Sequence, residues 1–335
     1  MNGQAADTVR FRDIPIRFGR AWTAFWFTPS DPIVLSLLRV LVGGVALWWY
    51  LSFLPDLQDW FGPQGVFSLN LAQFLRDKAG GMAISLFDFA NSSSQLWLIY
   101  SLGAAAIVMM LCGIFTRIST IAGLVFVLSF IHRAPMLTRY VDGILPMLMF
   151  YLCLGPAGAC FSVDACIRDS RRKRQMSAIV NKPSRFSSAA TVAIRVMQVH
   201  LVLVYAAMAI AQLQGDKWWQ GTAVWWLMAR PESRLVNLTG LSSMGIAFEY
   251  LVNLFTYAIV LYELSFAVLI WNPLARPILL VAGVFVWGGL ALIGGSVSFC
   301  VLMLAATLAF LPPETLRGWC ARCGIEKVAG ATVVN

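Results

Sequence analysis

The sequence predicts an all-α fold: a polytopic transmembrane helix bundle of about eight spans with both termini in the cytoplasm. Three observations lead there. Of 335 residues, 59% are hydrophobic and only 12% charged, with a mean hydropathy of +0.74. Soluble domains carry about 25% charged residues. So little charge cannot solvate a water-facing surface, which excludes a soluble enzyme, a disordered chain and a secreted disulfide scaffold. Eight apolar stretches approach the ~20 residues that a bilayer crossing needs. Lysine and arginine also concentrate in alternate connections, as the positive-inside rule requires.

The elements follow in order. Residues 1–27 hold Arg10, Arg12, Arg17 and Arg20 among Phe, Ile and Trp, with no apolar signal-peptide core. That pattern fits a cytoplasmic, interfacial amphipathic segment on an anionic leaflet. A membrane domain is expected over 28–314 and a cytoplasmic tail over 315–335. Span one runs from Ile33 to Leu54, opened by Pro29-Ser30-Asp31-Pro32 and closed by Pro55. Span two is Ser94 to Phe115. Spans three (Ile118 to Ile131) and four (Tyr140 to Leu154, with Pro146 inside) are short for a crossing. Span five is Ala189 to Leu213, span six Gly245 to Trp271, span seven Leu274 to Ile293, and span eight Gly295 to Leu311, ended by Pro312-Pro313.

With the N-terminus inside, the cytoplasmic side collects Arg10, Arg12, Arg17, Arg20, Arg117, Arg168, Arg171, Arg172, Lys173, Arg174, Lys182, Arg185, Arg276, Arg317, Arg322 and Lys327. The outside collects Arg76, Lys78, Arg133, Arg139, Lys217, Arg230 and Arg234, fewer than half as many. The net charge of +9 therefore reads as topology and attraction to the lipid bilayer, not as nucleic-acid binding. Two external loops are long. Residues 56–93 carry Trp60-Phe61-Gly62-Pro63, and residues 214–244 carry Lys217-Trp218-Trp219 and Trp225-Trp226, at home at the headgroup level. Seven cysteines lie mostly in apolar runs. Cys320 and Cys323 form a C-x-x-C without a second ligand pair, so no metal site is predicted.

Charged groups within hydrocarbon cost about 2.5–3.5 kcal/mol on insertion scales and are usually functional or paired. Here they are Arg39, Asp142, Arg195, Glu249 and Glu263, joined by Gln198, His200, Gln212 and Asn253. Arg39 and Glu263 share an expected cytoplasmic depth, which suggests a helix-locking pair, with Arg195 as a competing partner. Glu249 and Asn253 are four apart on one helix face. With Gln212 and Asp142 they are expected to line an outward-facing cavity. Asp142 is also read as snorkelling or pairing with Arg139. His200 reads as a packing histidine, because the other one, His132, lies far away and no catalytic triad can be built.

Several segments, in shared order and spacing, resemble one family. They are Thr28-Pro29-Ser30-Asp31-Pro32 with Arg39, Gly113-Ile114-Phe115-Thr116-Arg117-Ile118-Ser119 and Phe161-Ser162-Val163-Asp164. Further on come Val204-Tyr205 with Gln212-Leu213 and Trp218-x-x-Gly221, Tyr262-Glu263-Leu264-Ser265, and Met303-Leu304-Ala305 leading to Phe310. Together they resemble the membrane domain of vitamin K-dependent γ-carboxylases, called the HTTM (horizontally transferred transmembrane) domain in bacteria, over about residues 28–314. The resemblance implies a bacterial inner-membrane protein. Its animal members carboxylate glutamate with reduced vitamin K, using a lysine as base. That lysine falls on Gln212 here, and an amide cannot abstract a proton. Family histidines fall near Thr138 and Trp287. Lys217 is the one nearby lysine that could replace the base. Arg39, Asp164, Trp218, Gly221 and Glu263 carry over as scaffold positions.

The favoured expectation is a protein of this type without γ-glutamyl carboxylase activity. Its cavity, lined by Gln212, Trp218, Glu249 and Asn253, would bind a quinone or lipid. Two alternatives are a divergent membrane enzyme using Glu249, Asp142 or Lys217 as acid or base, and an accessory protein for maturation or export of a secreted peptide. The orientation has a direct test. Cysteines introduced as Ser68→Cys or Thr239→Cys are expected to react with a membrane-impermeant maleimide added outside intact cells. Labelling only from the cytoplasmic side would reverse the topology.

Overall fold

The computed structural model describes residues 14–79, 84–133, 140–175, 186–230 and 235–323, without the side chains of 14–16 and 172–175. Arg10, Arg12, Thr138, Arg139, Lys182, Arg185, Arg234 and Lys327 lie outside the described residues, as do the side chains of Arg172, Lys173 and Arg174. The described chain is all-helical, with one isolated antiparallel bridge between Ser30 and Ser187.

The helices are α1 (Ile14–Phe27), α2 (Ile33–Leu51), α3 (Leu57–Phe61), α4 (Leu69–Ala79), α5 (Ser93–Cys112), α6 (Thr116–Arg133), α7 (Tyr140–Leu154) and α8 (Val163–Gln175). Then come α9 (Ser188–Leu213), α10 (Asp216–Trp219), α11 (Ala223–Met228), α12 (Ile246–Leu269), α13 (Ala275–Gly294), α14 (Val297–Thr307) and α15 (Pro313–Arg322). Helices occupy all eight apolar stretches. Five, α2, α5, α9, α12 and α13, are long and apolar enough to cross a membrane. A sixth is added if Val297–Phe310 and Pro313–Arg322, bent by 107° at the Pro312-Pro313 break, count as one span. At 1.5 Å per residue, the 15-residue α7 reaches only about 22 Å, short of a ~30 Å hydrocarbon core.

The element boundaries have local causes. Ser92 and Gln95 form a reciprocal capping box that starts α5. Gly113 ends it in the left-handed region, at φ +71°. The Asp31 carboxylate accepts the Ile33 N–H at 3.0 Å at the head of α2, and the Ser187 hydroxyl accepts from Ala190 N–H at the head of α9.

Helix α2 is the centre of the bundle. It packs on α5, α7, α14 and α15, and two thirds of its apolar window is buried. The outer helices turn apolar side chains outward: Leu254, Leu261 and Val268, seven residues apart on α12, and Ile278 and Phe285 on α13, are all more than 60% exposed. An exposed face of this composition suits lipid as solvent.

The tightest knot lies around Arg39, which is fully buried. Its Nε donates to Ala157 O at 3.1 Å, Nη1 to Leu111 O at 2.8 Å and to Met110 O, and Nη2 to Phe161 O. The cation therefore seats on the carbonyl end of α5, the negative end of that helix dipole, and on the loop between α7 and α8. A Cβ on Gly113 would lie 2.3 Å from Ser162 Cβ and 2.8 Å from Arg39 Nη1, so only glycine fits. Across the knot, Asp164 accepts from Phe115 N–H (3.0 Å), Thr116 N–H (2.7 Å) and Thr116 Oγ1 (2.7 Å), capping α6. Partial burial pushes the Asp164 carboxyl up. The Thr116 and Phe115 hydrogen bonds and the Arg168 charge outweigh it, leaving the group below the usual carboxylate range.

The expected Arg39–Glu263 pair is not made. Arg39 takes backbone carbonyls as partners, while Glu263 sits on α12, which packs on α9, α11 and α13. Nor does Arg195 pair with Glu263. Its Nη1 donates to Gln198 Oε1 at 3.0 Å, and its guanidinium lies 4.4 Å from the Phe25 ring, tying α1 to α9. Near the C-terminal end of the described chain, Arg317 on α15 grips Asp31 with Nε at 2.5 Å and Nη2 at 2.9 Å. The hydrogen bonds that Arg317 donates to Asp31 raise the Arg317 pKa above its ordinary value, against a lowering by burial.

Replacing Arg39 by Lys keeps the charge but not the planar fork. It leaves some of the four carbonyls buried without a donor, at about 1–3 kcal/mol each. The unfolding midpoint of Arg39→Lys in mild detergent is expected to fall well below wild type, and Arg39→Met further still. An unchanged midpoint for Arg39→Met would remove this role.

Candidate functional site

The polar side chains of the second half of the chain meet along the seam between α9 and α12. These helices run antiparallel but out of step. Tyr205 on α9 stacks on Phe266 of α12, with ring centroids 3.9 Å apart. One residue before its end, α9 places Gln212 against Glu263, with Nε2 donating to Oε1 at 3.1 Å. The last turn of α9 therefore reaches the last third of α12, well short of its N-terminus. Beyond it, α10 and α11 continue along the N-terminal half of α12: Tyr257 Oη donates to Trp219 O (2.7 Å), and Val224 N–H to Thr256 Oγ1 (3.2 Å). The 214–228 segment is thus a wall of the bundle, packed through Val224 and Met228 on Phe248, Val252 and Ile259.

This register decides which predicted residues meet. Gln212 is brought to Glu263, not to Glu249. Glu249 and Glu263 are fourteen residues apart on one helix, about 21 Å. Asn253 does share a face with Glu249, but its Nδ2 donates to the Glu249 backbone carbonyl at 2.9 Å, and the Glu249 side chain is exposed. Trp218 is half-buried against the α11–α12 cluster. Lys217 is exposed, with Nζ 4.0 Å from the centre of the Trp226 ring. Asp142 is half-buried in the first turn of α7.

The inner seam is polar and aromatic. Trp287 Nε1 of α13 donates to Tyr205 Oη at 2.8 Å, and Tyr205 Oη and Tyr262 Oη share a hydrogen bond at 3.5 Å. Gly283 lets α13 approach, since a Cβ there would come within 2.6 Å of Tyr262 Oη. Glu263 is 1% exposed. His200 meets Tyr151 Oη at 2.5 Å through Nδ1, and His132 meets Ile84 O at 3.0 Å. Among the described residues no three or more His, Cys, Asp or Glu side chains gather as a metal site.

Sequence reasoning missed a second buried polar cluster that pins the 56–93 segment. Arg76 Nη2 contacts Asp88 Oδ2 at 2.6 Å, and buried Arg133 donates to Ser68 O at 3.3 Å. Both arginines had been read only as external charges. The aromatic, turn-rich character of 60–67 was the available sign that this loop folds.

Comparison of the chain with protein families, with curated proteins and with solved structures found no match.

The seam gives a sharp mutational expectation. Gly221 has φ +72°, and a Cβ on it would lie 1.8 Å from Asn253 Oδ1. Gly221→Ala should lower the unfolding midpoint and raise protease cleavage in 214–228. The double change Gly221→Ala with Asn253→Ala should recover part of the loss, the strained φ remaining. No recovery at all would mean that Asn253 is not the obstacle.

Proposed function

We propose that this chain is a multi-pass inner-membrane protein of the HTTM type, with eight spans and both termini cytoplasmic. On this reading it does not carboxylate glutamate. It binds a hydrophobic small molecule, a quinone or lipid, on the outward half of α12, and it does not bind nucleic acid. One observation carries the reading. Gln212, where the resemblance places a lysine, and Trp287, near which it places a histidine, are 75 residues apart in sequence yet belong to one seam, linked through Glu263, Tyr262 and Tyr205. A shared site in this place makes sense of both positions. The residues now there are an amide and an indole, and neither abstracts a proton.

Support for a ligand comes from the surface next to the seam. Trp219, Trp226, Tyr250 and Tyr257 are exposed on and beside the outer half of α12, with Glu249, Asn253 and Lys217 among them. Aromatic faces with a few polar groups suit a flat, amphipathic headgroup entering from the bilayer. Mass spectrometry of the purified protein should detect a quinone or lipid retained above the bulk detergent extract. Retention should fall about tenfold, equivalent to about 1.4 kcal/mol, in a Trp218→Ala, Glu249→Ala variant. Reconstituted protein given reduced quinone, carbon dioxide and a glutamyl peptide should incorporate no carboxylate. Equal retention in the variant would overturn the ligand reading, and peptide carboxylation would overturn the loss of that activity.

A further inference from the structure

The Gln212–Glu263 contact leaves two acceptors unanswered. Gln212 Nε2 donates to Glu263 Oε1, while Gln212 Oε1 and Glu263 Oε2 are both buried and accept no hydrogen bond from any described residue. A buried acceptor without a donor is destabilising, and more so if the carboxyl carries a charge. An ionised carboxylate here would also need a cation. No ion pair reaches Glu263 among the described residues, where the side-chain ion pairs are Arg76–Asp88 and Arg317–Asp31. Gln212 of α9 contacts it, Tyr205 of α9 and Tyr262 of its own helix lie beside it, and Trp287, Gly283 and Phe266 pack on those two phenols. Tyr205 and Tyr262 are the titratable ones, and neither is ever positive.

Both oxygens are shut off from solvent, so a bound water, hydrated ion or headgroup would have to part α9 from α12. A proton needs no such room. We propose that Glu263 is a proton-storage site that holds its proton at neutral pH, and that Gln212 is its positioning residue. The acid O–H on Oε2 donates to Gln212 Oε1 while Gln212 Nε2–H donates to Oε1, forming a cyclic acid–amide pair. The same proton satisfies both orphaned oxygens and removes the charge, the standard response of an isolated carboxyl in an apolar site. The inference does not depend on the ligand reading above, since it concerns the inner seam and not the outer half of α12.

Infrared spectroscopy of the full-length protein in lipid nanodiscs tests it. Wild type at neutral pH should show a carboxylic-acid C=O band that shifts in D2O and is lost in Glu263→Gln. Gln212→Leu, which removes the amide at similar volume, should keep the band but move it to the frequency of an acid without hydrogen bonds. Gln212→Lys should abolish it, because an ammonium opposite Glu263 stabilises the carboxylate. Circular dichroism and gel filtration establish that each variant is folded. Should Glu263→Gln fail to fold, the two Gln212 variants decide alone. A carboxylic-acid region unchanged by both Gln212 variants overturns the proposal, as does one identical in wild type and a folded Glu263→Gln.

Discussion

A guanidinium fully buried among apolar helices must find acceptors, and the first half of the molecule is arranged around that requirement. Arg39 stands on α2, the helix most enclosed by others, and reaches carbonyls at the end of α5 and in the loop after α7. Three separate pieces of chain are thereby fixed to one side chain. The backbone pays locally, since Phe115 (φ 45°) and Phe161 (φ 49°) occupy the left-handed region that side chains avoid. Each is held there by the same knot: the Phe161 carbonyl accepts from Arg39, and the Phe115 N–H donates to Asp164. Asp164 supplies the nearby negative charge and caps α6 at once.

The second half solves the problem of polar burial differently. Along α9 and α12 no cation is offered to Glu263. The seam is built from neutral donors and acceptors, an amide, two phenols and an indole, between aromatic rings. Charge is met by helix-end carbonyls in one half and by neutral side chains in the other. The two solutions call for different geometry. A guanidinium fork spans several strands of chain, whereas an amide reaches only the helix beside it, so the α9–α12 register carries the whole burden of placing Gln212.

The helices themselves were legible in the sequence, because apolar stretches bounded by Pro, Gly and Ser caps leave little freedom. Pro29-Ser30-Asp31-Pro32 before α2 and Pro312-Pro313 after the α14 segment mark the ends they suggested, whereas span two, expected to reach Phe115, stops at Gly113. That Arg39 must be paired was legible too. Its partners were not, because a search among side chains overlooks backbone carbonyls exposed at a helix end. The separation of Gln212 from Glu249 was hidden for another reason. Depth in the membrane was inferred by counting from helix termini, which assumes that neighbouring helices start and stop at the same level. Here the last turn of α9 meets Glu263 in the last third of α12, and the chain that reads as an external loop runs along the rest of it. No local pattern in 214–228 separates a loop lying on the membrane from one packed into the bundle, since Trp-rich segments suit both.

The choice of residue at 212 has consequences beyond that residue. An ammonium at this position would face the Glu263 carboxylate, and the seam would have to pay for burying two charges against their mutual attraction, a balance that favours neither side strongly. The amide removes one charge, and with no cation in reach the carboxyl has reason to keep its proton. Neutral packing of Tyr205, Tyr262 and Trp287 around the pair then costs no charge desolvation, and α13 can close in on Tyr262 through Gly283. One substitution would thus move the acid–base capacity of the seam from α9 to α12 while leaving every helix in place.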